Sequence, residues 1–243
     1  MDIKQQYGWL LDFTGCDGGN IGSPENPSIW VCGIEWGGGH DADSLRKMVA
    51  TPYDDTTDFG YDDWTTNIKY PYNVRTCKLL SALNGGQTGD YREFAEKVQP
   101  FVNGSPSPYF RMNLYPIAFK NTDPNRWNAE FADITGFRDK SAYADFCRKY
   151  RFAEMHRWME TYRPRLIICF GRTFEKDFNL AFSDGLNNFN QETIGDRVLK
   201  WKRNENGTLL AVLPFPSGPS GLNSDHTMQL FGERLAELLR ETV

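Results

Sequence analysis

Four short apolar runs, each followed by a loop rich in glycine, proline or polar residues, constrain the fold of this 243-residue chain more than any other feature. Apolar runs without polar alternation are typical of strands that are buried on both faces, as in parallel sheets. Most of the runs are followed by a helical pattern, which predicts right-handed crossovers between parallel strands. The runs occupy residues 28–34, 109–115, 166–170 and 209–213.

Helical spacing of apolar residues predicts the elements between these strands. We expect a short amphipathic helix within the first 13 residues, a last helix that is capped by Asp225 and runs through Glu241, and five helices between them. These five lie at residues 44–49, 73–83, 91–102, 141–162 and 173–182.

A β-hairpin is expected in the C-terminal part of the chain. Residues 196–202 and 208–213 flank an Asn206-Gly207 pair, which is a strong hairpin-turn signal. We therefore predict a single domain over residues 1–243, of the α/β class. It would have three layers (α/β/α), with a central parallel four-stranded sheet and the added hairpin.

Charge, cysteine content and the N-terminus narrow the class of protein. The N-terminus lacks the basic and apolar regions of a secretory signal, and no run approaches the ~18–20 apolar residues of a membrane span. The five cysteines include no CxxC pair. We therefore expect a cytoplasmic protein with buried thiols at Cys32 and Cys169, no membrane partner, no metal and no cofactor. A net charge of −5 counts against tight duplex binding, although a local basic patch is compatible with it.

The carboxyl ends of the four strands are the candidate site, because ligands of open parallel sheets bind there. Side chains that could bind a ligand lie at or just after the end of each run. They are Glu35 and Trp36 after the first run, Asn113 within the second, Arg172 after the third, and residues 215–220 after the fourth.

In their order along the chain, these strand ends resemble the uracil-DNA glycosylase superfamily. The resemblance covers residues 28–235. Four motifs carry it. Gly33-Ile34-Glu35-Trp36-Gly37 matches the family's water-activating loop, and Tyr70-Pro71-Tyr72 matches the aromatic residue that stacks on the base and precedes a helix. Met112-Asn113-Leu114 matches the strand with the base-reading asparagine, and Phe215-Pro216-Ser217-Gly218-Pro219-Ser220 matches the His-Pro-Ser-Pro-type loop.

The resemblance implies a protein that recognises a nucleobase in nucleic acid, or a nucleotide, and hydrolyses an N-glycosidic bond in DNA. Glu35 would then organise water and stabilise the sugar cation. Asn113 would read the base edge, Tyr70 and Tyr72 would stack the base, and Trp36 would form a wall of the pocket. The alternative for Glu35 is a solvated loop acid or a helix-dipole partner, and for Asn113 it is a core amide satisfied by backbone. For the two tyrosines the alternative is ordinary packing.

Phosphate contacts are expected from two loops. Ser217 and Ser220 precede a helix N-terminus, and Gly37 allows close approach of backbone to a ligand. Arg172 could reach a phosphate from the end of the third strand. A simple turn and helix cap is the alternative for the two serines.

The chain departs from the family pattern at Phe215, where many members have the histidine that stabilises the leaving base. His40 and His226 lie near the two key loops and are candidates to replace it.

Two alternative functions therefore remain open. One is a non-catalytic module of the same fold that binds a nucleotide or a protein partner, and the other is an unrelated flavodoxin-like hydrolase.

Glu35 and Asn113 are 78 residues apart, yet they lie at the ends of strands predicted to be adjacent. We expect both side chains to border one cavity beneath residues 41–71. We also expect Glu35→Gln and Asn113→Asp to change stability by no more than roughly 1 kcal/mol, as polar loop-edge substitutions usually do.

Overall fold

A computed structural model shows a mixed α/β fold with one seven-stranded sheet, and it describes residues 3–51, 60–119, 126–186 and 188–241. The strands are β1 (Cys16–Gly19), β2 (Ile29–Gly33), β3 (Tyr109–Asn113), β4 (Leu166–Phe170), β5 (Asn190–Ile194), β6 (Arg197–Arg203) and β7 (Leu209–Leu213). Their spatial order is β1-β3-β2-β4-β7-β6-β5.

The sheet combines parallel and antiparallel pairs. The four apolar runs form β2, β3, β4 and β7, with β2 parallel to β3 and β4, and β4 parallel to β7. The predicted hairpin is present as the antiparallel pair β6–β7. Two strands lie outside the prediction: β5 pairs antiparallel with β6, and β1 pairs antiparallel with β3 at the opposite edge.

Ten α-helices occur in the described residues, and none of them is long and apolar enough to span a membrane. The segment predicted at 141–162 is α7 and α8 joined by one π turn, Cys147–Arg151. The prediction omits α3 and α6. The helices are α1 (Ile3–Leu11), α2 (Ala42–Ala50), α3 (Trp64–Asn67), α4 (Pro71–Leu83), α5 (Tyr91–Val98), α6 (Ala129–Thr135), α7 (Lys140–Phe146), α8 (Phe152–Tyr162), α9 (Glu175–Phe182) and α10 (Asp225–Arg240).

Both faces of the central strands are buried, because successive strand residues alternate between two hydrophobic clusters. Trp30 and Cys32 belong to the cluster that contains side chains of α1, α2, α8 and α9. Ile29 and Val31 belong to the cluster that contains side chains of α4, α5 and α10. The continuous apolar runs of the sequence are therefore explained by burial on both sides. All five cysteines are buried and unpaired, as expected for Cys32 and Cys169.

A fully buried arginine fixes the N-terminal segment against β3. The Arg151 guanidinium donates hydrogen bonds to the carbonyls of Leu10 (2.8 Å), Thr14 (2.6 Å) and Leu114 (2.9 Å). Its charge is thus distributed over backbone acceptors that would otherwise be unsatisfied in the core. This contact helps to place β1, which begins two residues after Thr14, beside the end of β3.

Candidate functional site

A cavity of about 580 Å³ opens beyond the carboxyl ends of β2, β3 and β7, which is a usual size for a small-molecule site. The residues predicted for the site that line it are Glu35, Trp36, Gly37, Tyr70, Tyr72, Asn113 and Ser217, and Phe215 joins them. The structure therefore brings Glu35 and Asn113 to one cavity. Part of the segment expected above it, residues 52–59, lies outside the described residues.

Four of the predicted site residues are placed elsewhere. Arg172 and Ser220 line a neighbouring depression, which shares Phe215 and Ser217 with the cavity. His40 lines a second neighbouring depression. His226 is exposed on the first turn of α10 and, among the described residues, is not part of the cavity lining.

His40, a candidate substitute histidine, is hydrogen-bonded to the backbone of Ala118. Its Nδ1 accepts a hydrogen bond from the Ala118 N–H at 2.8 Å, and its own backbone N–H donates to the Ala118 carbonyl at 2.9 Å. Burial lowers the pKa of His40, so the ring is neutral at neutral pH. The ring is thereby held against residue 118.

Glu35 follows β2 and is buried in an ion pair. The Lys140 Nζ lies 3.2 Å from its Oε2, and the Glu35 side chain is 7% exposed. The Lys140 ammonium also lies 3.9 Å from the centroid of the Phe119 ring, a distance typical of cation–π contacts. Burial raises the pKa of the Glu35 carboxyl, and the charge of Lys140 opposes this rise. The site therefore holds a carboxylate whose basicity is increased by its surroundings.

Asn113 lies beside Gly33 in the parallel register of β2 and β3. Its Oδ1 occupies the space that a Cβ on Gly33 would need, so the glycine is required for this close approach. Its Nδ2 donates long hydrogen bonds to the Gly15 carbonyl (3.4 Å) and to Asp17 Oδ2 (3.5 Å). The amide is buried at the cavity wall and is oriented by β1 as well as by β2.

A buried ion pair that the sequence-based prediction omits lies beside Asn113. Arg111 donates hydrogen bonds to the carboxylate of Asp17 and to the Oδ1 of Asn73, and all three residues line the cavity. The side chains of Arg111 and Asp17 are 10% and 9% exposed. Burial raises the pKa of Asp17, while the charge and hydrogen bonds of Arg111 oppose the rise.

One sequence signal could have identified Arg111. A charged residue inside an apolar strand, two positions before Asn113, must lie on the same face of that strand as Asn113. Asp17 has no comparable signal, because it lies between glycines and cysteine in a segment that is typical of a polar loop.

Tyr72 offers a hydrogen-bonding group to a ligand. Its hydroxyl is buried and has no hydrogen-bond partner among the described residues, which is rare for a buried polar atom. Burial raises the pKa of this hydroxyl well above its ordinary value, so it is a neutral donor. The ring contacts Phe170 and Phe215, with centroid distances of 5.8 and 5.9 Å. Tyr72 thus contributes an edge-on polar group rather than a freely exposed stacking face.

Two exposed aromatic side chains stand at the mouth of the cavity. Tyr70 is 54% exposed and Phe215 is 39% exposed, whereas large apolar side chains are usually covered. The Tyr70 ring leans on Tyr61, with centroids 5.9 Å apart. These aromatic surfaces are available to a planar ligand.

Comparison with known proteins adds no assignment: no protein-family model and no curated protein matches this chain. Within the described ranges, no group of three or more His, Cys, Asp or Glu side chains is arranged to hold a metal ion.

Proposed function

We propose that the protein binds a nucleobase of DNA in this cavity and hydrolyses its N-glycosidic bond, in the manner of the uracil-DNA glycosylases that it resembles. One observation carries the proposal: the carboxylate of Glu35 and the amide of Asn113, from the ends of two adjacent parallel strands, line one cavity with the exposed aromatic ring of Phe215. Cleavage of an extruded base needs such a carboxylate, a group that reads the base edge and an aromatic surface.

The fold implied by this family is supported by two features of the sheet. Strands β3, β2, β4 and β7 are neighbours and run parallel, and the cavity lies at the carboxyl ends of β2, β3 and β7. Helical side chains join the strand residues in two separate clusters, which is the packing expected of three layers.

The proposed chemistry is hydrolysis through a sugar with oxocarbenium character. The oxygen of water bonds to C1′ while the C1′–N bond breaks, and the base leaves with the bonding electrons. Glu35 stabilises the positive sugar and orients the water, whose proton passes to the carboxylate and then to solvent. The base takes up a proton from solvent, so the products are a free base and an abasic sugar.

Tyr72 is proposed to assist the departing base. Phe215 has no proton to donate, although many members of the family have a histidine at this place. The neutral Tyr72 hydroxyl lies at the same cavity and lacks a partner among the described residues. It can donate a hydrogen bond to an anionic base oxygen, and such donors are effective in a desolvated site.

Base release from labelled single- and double-stranded oligonucleotides tests the proposal. A panel carrying uracil and other altered bases is incubated with the wild-type protein, Glu35→Gln and Glu205→Gln. We expect release by the wild-type protein and by Glu205→Gln, whose exposed carboxylate lies in the turn between β6 and β7. Glu35→Gln should bind oligonucleotide and release about 10²–10³-fold less base, as is typical when one electrostatic stabiliser is removed.

A non-catalytic nucleotide-binding module is the second candidate. The Glu35–Lys140 ion pair favours it, because a neutralised carboxylate stabilises a sugar cation less. Oligonucleotide binding without base release from any member of the panel would support this candidate against the first.

A further inference from the structure

A third depression adjoins the cavity along α4 and carries an excess of positive charge. It has a volume of about 400 Å³ and is lined by Lys69, Arg75 and Lys78, with Asp225 as the acidic member. Lys78 is paired with Asp225 at 2.7 Å. Within the described part of the chain, neither Lys69 nor Arg75 forms an ion pair, so the depression keeps two uncompensated cations in a protein of net charge −5.

This depression and the cavity form one continuous surface. Pro71 and Arg75 line both of them, and Arg75 is held in place by a hydrogen bond from its Nη1 to the Leu222 carbonyl at 3.2 Å. The exposed ring of Tyr70 stands directly before Pro71 at this boundary. A cationic groove and an aromatic platform therefore lie next to the proposed base pocket.

We propose that Lys69, Arg75 and Tyr70 form a binding site for single-stranded DNA, with Lys69 and Arg75 on the phosphates and Tyr70 stacked on an unpaired base beside the one in the cavity. This inference rests on the proposed function and specifies its substrate. Aromatic platforms combined with a cationic track are the usual means of holding single strands.

The number and kind of contacts favour a single strand over a duplex. Two cations that form no ion pair among the described residues neutralise few phosphates, whereas proteins that bind duplex DNA usually carry a broad basic face. An exposed tyrosine can stack only on a base whose face is not covered by its neighbours, and the bases of a duplex are stacked on each other.

Salt-dependent binding of a labelled single-stranded oligothymidylate provides the test. The wild-type protein should bind it more tightly than a duplex of the same length. Lys69→Gln should reduce the slope of log affinity against log salt concentration by about 0.7, the value for one lost phosphate contact on a single strand. Tyr70→Ala should weaken binding about ten-fold with the slope unchanged.

Lys149→Gln is the matched control, because Lys149 is exposed on the π turn between α7 and α8 and lies outside both linings among the described residues. It should leave the slope unchanged. A wild-type slope in Lys69→Gln, unaltered affinity in Tyr70→Ala, equal or tighter duplex binding, or no binding of the oligothymidylate would each overturn the inference. Failure of the proposed function is seen separately, as single-stranded binding that depends on Lys69 and Tyr70 without release of any base.

Discussion

Asp17 of β1 and Arg111 of β3 form a buried ion pair at the wall of the cavity, across the edge of the sheet. Loss of one partner leaves an uncompensated buried charge, so we expect Asp17→Ala to destabilise the protein by about 3–5 kcal/mol in urea unfolding. Asp17→Ala combined with Arg111→Met should cost less than the sum of the two single changes. Asp43→Ala, which breaks the exposed pair with Arg46, should cost less than about 1 kcal/mol. Equal losses of unfolding free energy in Asp17→Ala and Asp43→Ala would contradict a buried Asp17–Arg111 ion pair.

The stability contributed by Glu35 should fall as pH rises. Its pKa in the folded protein is raised above the ordinary value of 4.5, so its contribution is complete below 4.5 and is lost as pH rises through the folded pKa. Melting temperatures of the wild-type protein, relative to Glu35→Gln, should therefore decline over this interval. Lys140→Met removes the opposing cation and should extend the decline to higher pH. A difference between wild type and Glu35→Gln that does not vary with pH would refute the burial of an ionisable carboxyl.

Gly33→Ala should disrupt the site through steric contact with Asn113. A Cβ at residue 33 would collide with the Asn113 Oδ1 and would approach the Tyr72 hydroxyl to 3.4 Å. We expect a loss of about 1–3 kcal/mol and weakened ligand binding, because a packed wall must shift. Gly37→Ala is the control within the same lining, since its Cβ would meet no atom within 4 Å. Similar unfolding curves for the two variants would show that Gly33 is not sterically restricted.

Asn113→Asp should destabilise the protein more than sequence reasoning predicts. The amide Nδ2 lies 3.4 Å from the Gly15 carbonyl and 3.5 Å from Asp17 Oδ2, so an aspartate would direct an acceptor at two acceptors. We expect the free energy of unfolding to fall by about 1–3 kcal/mol at pH 7. The loss should be smaller at pH 5, because the new aspartate and Asp17 can then share a proton more easily. The exposed Asn103 supplies the control, and Asn103→Asp should be nearly neutral. A loss within 1 kcal/mol at pH 7 would favour the simpler loop-edge interpretation.

Tyr72→Phe should affect stability and binding in different directions. Its hydroxyl has no partner among the described residues, so removal should leave the free energy of unfolding unchanged or slightly increased. Oligonucleotide binding should weaken roughly five-fold, the value of one hydrogen bond of about 1 kcal/mol. Tyr143→Phe is the contrasting variant, because that hydroxyl accepts the buried Ile117 N–H at 3.2 Å, and its removal should cost about 1–3 kcal/mol. A stability loss in Tyr72→Phe as large as that of Tyr143→Phe would indicate a structural hydroxyl.

The central strands were predictable because burial on both faces produces continuous apolar runs, as in β2 and β4. Strand β1 was not, since Cys-Asp-Gly-Gly has neither apolar alternation nor β-branched residues. Its strand conformation depends on pairing with β3, which is a tertiary contact. Helix α6 was missed for a different reason: its local boundary signals, the Asn128 cap and the left-handed Gly136, lie in a segment whose proline and asparagine content is typical of a polar loop.

Contacts in the site that depend on tertiary structure were likewise not predictable from the sequence. Glu35 and Asn113 could be placed together because strand ends converge in a parallel sheet. Lys140 could not, because its contact with Glu35 spans 105 residues and depends on where α7 begins. The location of His40 was similarly unpredictable, since its partner Ala118 lies in a loop.

The short edge strand β1 also has a thermodynamic consequence for the site. It contains four residues and is paired along one side only, so it is expected to open locally at lower cost than the central strands. Such an opening would separate Asp17 from Arg111 and remove a wall of the cavity. We therefore expect a ligand that requires the intact wall to stabilise the closed state of this edge by mass action.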